Sequence, residues 1–216
     1  MGSEVPQRFN ESEHYVKKIL ALLGVISVLA LSGCGNVDSA ATVGTTTISQ
    51  ASAQSIVDEI LAERAKVDTS GMQLQSGSAL NRGQLRFTII TTLFDEIAKE
   101  LKITVSSTEM AKAKSDLITQ SGGQDALAKN LVAAEIAPSN FDVYIRAVIT
   151  SNKIQEALKA SGVAEADVSA RITQLVNAKA AELKVKVNPR YGTWDQTSGE
   201  IVATDSAGSA VVPSGK

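Results

Sequence analysis

The chain has 216 residues, 21 Lys+Arg against 23 Asp+Glu for a net charge of −2, 44% hydrophobic residues and 4% aromatic ones. That length suits one domain with extensions, and so even a charge balance leaves no footprint for nucleic acid. His14 and Cys34 are the only histidine and cysteine, which removes the common zinc spacings, Cys/His nucleophile pairs and histidine proton shuttles, so no metal, no cofactor and no catalytic residue is expected.

Taken in chain order, Met1 to Tyr15 is acidic for a leader, with Glu4, Glu11 and Glu13 against Arg8. We read the biological start at Val16, encoded by GTG, so that residues 1–15 are not translated. Lys17 and Lys18 form a positive n-region before the apolar run Ile19 to Leu31, which is too short to rest as a spanning helix. Leu31-Ser32-Gly33-Cys34 closes that run with small residues and a cysteine, and it resembles the lipobox of bacterial lipoproteins. The resemblance implies cleavage before Cys34 and a diacylglyceryl thioether on its thiol. Residues 1–33 are then a lipoprotein signal peptide and 34–42 a lipidated linker; an ordinary secretory leader ending near a cysteine is the alternative. Buried acyl chains contribute about 0.8 kcal/mol per methylene, and two chains hold where one only visits. Lipidation also disposes of a lone thiol that would be a liability in an oxidising compartment. With His14 in the leader, the processed chain contains no histidine.

Gly35 to Thr42 is small and polar and reads as a flexible spacer. Val43 to Ile48 surrounds a glycine with β-branched residues, a short strand or hairpin edge. From Ser49, a capping residue, to Lys66, the apolar residues Ala53, Ile56, Val57, Ile60 and Leu61 recur at helical spacing. Asp68 to Ser78 is a loop whose apolar members, Met72 and Leu74, either contact a client or fold back onto the bundle. The next helix, Ala79 to Lys102, carries the clearest period, with Phe87, Ile90, Phe94, Ile97 and Leu101 widened by Leu93 and Ala98, and it is expected to be central. Ser106 and Glu109 have the spacing of a capping box and open a helix to Ser121, which Gly122-Gly123 stops. A short helix, Gln124 to Ala134, presents Leu127 and Leu131. After the break at Ala137-Pro138-Ser139, a longer one runs from Phe141 to near Gly162, and another spans Glu165 to Leu183. Lys184 to Val187 then alternates as a strand before Asn188-Pro189.

This order of parts resembles the N-terminal domain of SurA-type periplasmic chaperones and PrsA-type foldase lipoproteins. It is carried by the lipobox, the Val43 to Ile48 edge, the helix containing Leu93-Phe94-Asp95-Glu96-Ile97-Ala98, Ile103 to Ser106 with Glu109, and Phe141 to Leu158. The ending Val187-Asn188-Pro189-Arg190-Tyr191-Gly192-Thr193-Trp194-Asp195 is similar to that of SurA-like lipoproteins from actinobacteria. The resemblance implies a mainly α fold, a SurA-N-like helical bundle over residues 43–195. A small β element would pair the N-terminal strand, Val43 to Ile48, with the C-terminal one, Lys184 to Trp194. Residues 196–216, rich in Ser, Gly and Ala, read as a flexible tail. They are too few for the parvulin-type domain of related foldases, so no isomerase activity, nor any other enzyme activity, is expected.

Two functions fit. A lipid-anchored holdase at the extracytoplasmic face of the cell membrane would bind unfolded secreted polypeptides through apolar side chains, for which Phe141, Tyr144, Met72 and Leu74 are the candidates, against the alternative that they are core. A structural or assembly lipoprotein would instead recognise one folded envelope partner, with Arg190, Tyr191 and Trp194 as candidates because such residues favour interface hot spots. Their alternative role is to close the sheet against the helices. The carboxylate pairs Asp95-Glu96 and Asp195/Glu200 read as solvated faces.

Overall fold

A computed structural model describes residues 38–204, which belong to one compact unit beginning at Asp38. The stretch expected to be a signal peptide, and Cys34, the expected lipidation site, lie outside the described residues. The elements run β1 (Ser39–Val43), β2 (Thr46–Ser49), α1 (Gln50–Arg64), α2 (Gly77–Glu100), α3 (Ser107–Ser121), α4 (Gln124–Ala133) and a 3-10 turn at Pro138–Asn140. They continue with α5 (Phe141–Ala160), α6 (Glu165–Glu182), β3 (Lys186–Val187), β4 (Thr193–Asp195) and β5 (Glu200–Val202). This is the mainly helical bundle with small antiparallel strands that the resemblance implies.

The helices start and stop where local chemistry says they should. Ser49 caps α1 by accepting from the Ser52 N–H, and Ser106 and Glu109 form the full capping box of α3. α2 is central, packing on α1, α5, α6, β1 and β5. Its fully buried residues include Leu80, Leu85, Ile89, Leu93 and Ile97, whereas Phe87, Ile90 and Phe94 are half-buried and Leu101 is 48% exposed. The deepest line is therefore rotated from the predicted Phe87–Leu101 stripe, because a helix covered on several sides has no single inner face. Ala40, Val43, Ile48, Leu85, Ile89, Leu93, Ile154, Val176, Trp194 and Ile201 are among the residues of one continuous core. Burying such Ile or Leu side chains stabilises by roughly 1.5–3 kcal/mol each. A smaller cluster joins Ile56, Val57 and Ile60 of α1 to Leu80 and Ala137.

Three expectations are corrected in the strands. Ser39 to Thr42 is not spacer but most of β1, which pairs with β2 as a hairpin turned at Gly44-Thr45. Gly44 has φ +58° and donates its N–H to Leu183 O at 2.8 Å; a Cβ there would meet Leu183 Cδ2 at 3.2 Å, so the hairpin docks on the end of α6 only through a glycine. The first strand does pair with a C-terminal one, but through Ala41↔Val187 and Thr42↔Lys186, while Trp194 pairs with Ile201 instead. The third correction concerns the tail. Residues Glu200–Val202 are β5, and Ile201 lies in the core. Apolar β-branched residues in the Glu200–Val202 stretch were masked by the polar composition around them.

Candidate functional site

The local geometry after α4 builds a mainly apolar recess. α4 ends with Glu135 in the left-handed region, φ 56°, and the Ile136 N–H closes back on Leu131 O at 2.9 Å. That reversal aims Ile136 and Pro138 at the side of α4 carrying Leu127, Leu131 and Val132. The result is a groove of about 210 Å³ lined chiefly by Leu127, Leu131, Val132, Ile136, Pro138 and Phe141, with Glu63 and Gln124 as its polar members.

Two long-range clamps fix its walls. The Arg64 guanidinium pairs with the Glu135 carboxylate at 2.7 Å, both side chains being nearly buried at 12% and 14% exposure, and also donates to Gln75 O at 2.7 Å. The same carboxylate oxygen accepts from the Gln75 N–H at 2.5 Å, and Gln84 donates its amide to Glu135 O at 3.0 Å. On the other side the Ser139 N–H donates to Glu59 at 3.1 Å, tying the 3-10 turn to α1. A pair so shielded resists opening far more than a surface pair does, although the Arg64 Nε–H is buried with no hydrogen-bond partner among the described residues.

Of the four residues singled out as client contacts, Phe141 lines this groove. Tyr144, one turn further along α5, is half-buried and outside it, as are Met72 and Leu74 in the connection between α1 and α2. The other three singled-out residues divide. Tyr191 and Trp194 belong to the core at 9% and 7% exposure, whereas Arg190 is exposed, 5.4 Å from the Tyr191 ring centroid. Closing the sheet against the helices is thus what Tyr191 and Trp194 do. Leu127 and Leu131 were legible as the apolar face of α4, but nothing in the sequence signalled that Ile136 and Pro138 would join them, since that depends on the turn at Glu135.

The carboxylates have structural occupations. Glu96 pairs with Lys99 at 2.5 Å and Glu200 with Arg86 at 2.9 Å. Asp195 accepts from the Thr197 N–H and the Ser198 hydroxyl, both at 2.8 Å, and these hydrogen bonds, the Thr197 one foremost, hold its carboxyl below the ordinary range. Among the described residues there is no group of three or more His, Cys, Asp or Glu able to hold a metal, and no helix long and apolar enough to cross a membrane. What the groove can do is seat an apolar side chain.

A family model described as the SurA-like N-terminal domain matches residues 7–155, a stretch that contains the whole groove. No curated protein and no solved structure matches the chain.

Proposed function

This chain belongs to the SurA-like N-terminal domain family, and we propose that it is a lipid-anchored holdase at the extracytoplasmic face of the membrane, binding unfolded secreted polypeptides without prolyl isomerase activity. Family membership is the observation that carries the reading, because the domain is of a chaperone type. Cys34 is the anchor, following its lipobox-like run. The groove at Phe141 is the client contact.

Its size sets the strength of binding. A groove of about 210 Å³ takes one large apolar side chain, worth roughly 1.5–3 kcal/mol when buried, or about ten- to 150-fold in affinity. Contacts that weak release readily, which suits a holdase, and a membrane tether offsets the weakness by raising the local concentration of emerging chains. The exposed Val143 and Val148 on α5 offer further apolar contact along the same helix as Phe141.

The full chain at stoichiometric ratio is expected to suppress aggregation of a denatured client, and Phe141→Ser to weaken suppression several-fold while keeping its helical circular dichroism. Absence of suppression by the unmutated chain would refute the holdase. The anchor is tested separately, by intact mass: a diacylglyceryl adduct present on the expressed protein and lost in Cys34→Ser.

A further inference from the structure

A second recess, sharing no lining residue with the Phe141 groove, has the opposite chemistry. It encloses about 270 Å³ between α1, the start of α2 and the segment before β4, and its lining includes Gln54, Ser78, Asn81, Arg82, Arg190 and Tyr191. Two of these are guanidiniums, always charged, and no lining residue is acidic. Arg64 and Arg86, by contrast, are neutralised by Glu135 and Glu200. Neither arginine of this recess is paired with an acid among the described residues. Arg190 donates to the neutral amide oxygen of Gln50 and stands over the Tyr191 ring, and Arg82 makes no ion pair or hydrogen bond among the described residues. The nearest carboxylate bonded to a lining residue is Asp58, one helical turn along α1, which accepts from Gln54 at 2.8 Å. Gly77 also borders the recess, at the start of a helix whose first turn holds no acidic residue and whose N-cap, Ser76, makes no side-chain hydrogen bond.

We propose that this recess is a binding site for an oxyanion of the phosphate class, with Arg82 and Arg190 as its cationic walls. Two positive charges facing one cavity repel until an anion sits between them, and guanidinium forks match phosphate oxygens bidentately. Donors arriving from three separate segments suit a tetrahedral acceptor better than a planar carboxylate, which one arginine satisfies alone. The phosphate can belong to a free solute or to the headgroup of an anionic phospholipid. Gln50, which holds Arg190, also donates its backbone N–H to Asp38 O at 2.7 Å, and Asp38 closely follows Cys34 in the sequence. The site stands independently of the holdase reading.

The test uses the full chain, isotopically labelled, in micelles of an uncharged detergent. Inorganic phosphate is titrated at constant ionic strength while the arginine Nε–Hε resonances are followed, with acetate as the carboxylate control. Saturable shifts of the Arg82 and Arg190 signals are expected, with affinity reduced at least tenfold in Arg82→Gln and in Arg190→Gln and unchanged in Arg146→Gln on α5. Co-sedimentation with phosphatidylglycerol and phosphatidylcholine vesicles then separates the sources. Preference for phosphatidylglycerol that is lost in Arg82→Gln assigns the headgroup, and saturation by phosphate without that preference assigns a free solute. An absent or non-saturable response to phosphate, an equal response to acetate, or an unchanged affinity in both arginine variants overturns the site; melting curves of the variants confirm that they are folded.

Discussion

Lys102, Glu135 and Lys184 each adopt a left-handed backbone conformation, with φ of 54°, 56° and 51°, directly after α2, α4 and α6. In each case the next residue, Ile103, Ile136 or Val185, donates back to a carbonyl five positions earlier at 2.8, 2.9 and 3.0 Å. Gly162 does the same service after α5, with the Val163 N–H reaching Leu158 O at 3.1 Å. The glycine stop was readable and the lysine and glutamate stops were not, since a charged residue at that position advertises nothing. Holding a non-glycine residue there costs about 1 kcal/mol, and Lys102 is exposed and makes no side-chain hydrogen bond among the described residues. Lys102→Gly is therefore expected to raise unfolding free energy by about 0.5–1 kcal/mol, measured by urea denaturation. Glu135→Gly should behave oppositely, relieving the same conformation but stranding the nearly buried Arg64 guanidinium.

At the scale of the element, α3 shows how far a helix can be written locally. Its capping box needs only Ser106 and Glu109, and both partners are present in the sequence at the required spacing. Its packing is thinner: Met110 is its only buried residue, and Leu117 and Ile118 are half-buried. A long-range bond compensates. Lys153 of α5 reaches Glu109 at 2.6 Å and Thr104 O at 2.7 Å, fastening α3 to the bundle. The hydrogen bond from Lys153, then those from the Ser106 N–H and hydroxyl, hold the Glu109 carboxyl down from its ordinary 4.5 to about 2. A depressed folded-state value means that the stabilisation is fully present above the unfolded value of 4.5 and is lost as pH falls through about 2. Glu109→Gln should thus be less stable than the parent at neutral pH, with the gap narrowing between pH 4.5 and 2. Parallel urea titrations across that range read the effect, and a gap that does not change with pH would count against it.

For the whole molecule, the decisive contacts lie at the C-terminal end. Ile201 enters the same core as Leu85 and Ile89, the turn after Trp194 is locked by Asp195, and Arg86 of α2 donates to Gly199 O at 2.8 Å while pairing with Glu200. Gly192 admits this pairing, because at φ +128° a Cβ would lie 2.2 Å from Val202 O. Truncation after Asp195 is expected to destabilise the domain by about 2–5 kcal/mol, the cost of emptying a buried isoleucine site. A true tail would be removed at no cost, so the urea midpoint of the truncated chain distinguishes the two.

The sequence by itself determined the helix spans, the two N-caps at Ser49 and Ser106, the glycine stops, the central helix and the absence of histidine after His14. All of these rest on spacings of a few residues or on composition. The tertiary structure decided which side of α2 lies deepest, that Ser39 to Thr42 and Glu200 to Val202 are strands, that Tyr191 and Trp194 are core, and that Phe141 meets Leu131 and Ile136 in one groove. It also brought Arg64 to Glu135, 71 positions apart, and Arg82 to Arg190 across one recess. Such meetings are set by how packed elements cross and by which strand edges remain to be paired, and no local period encodes either.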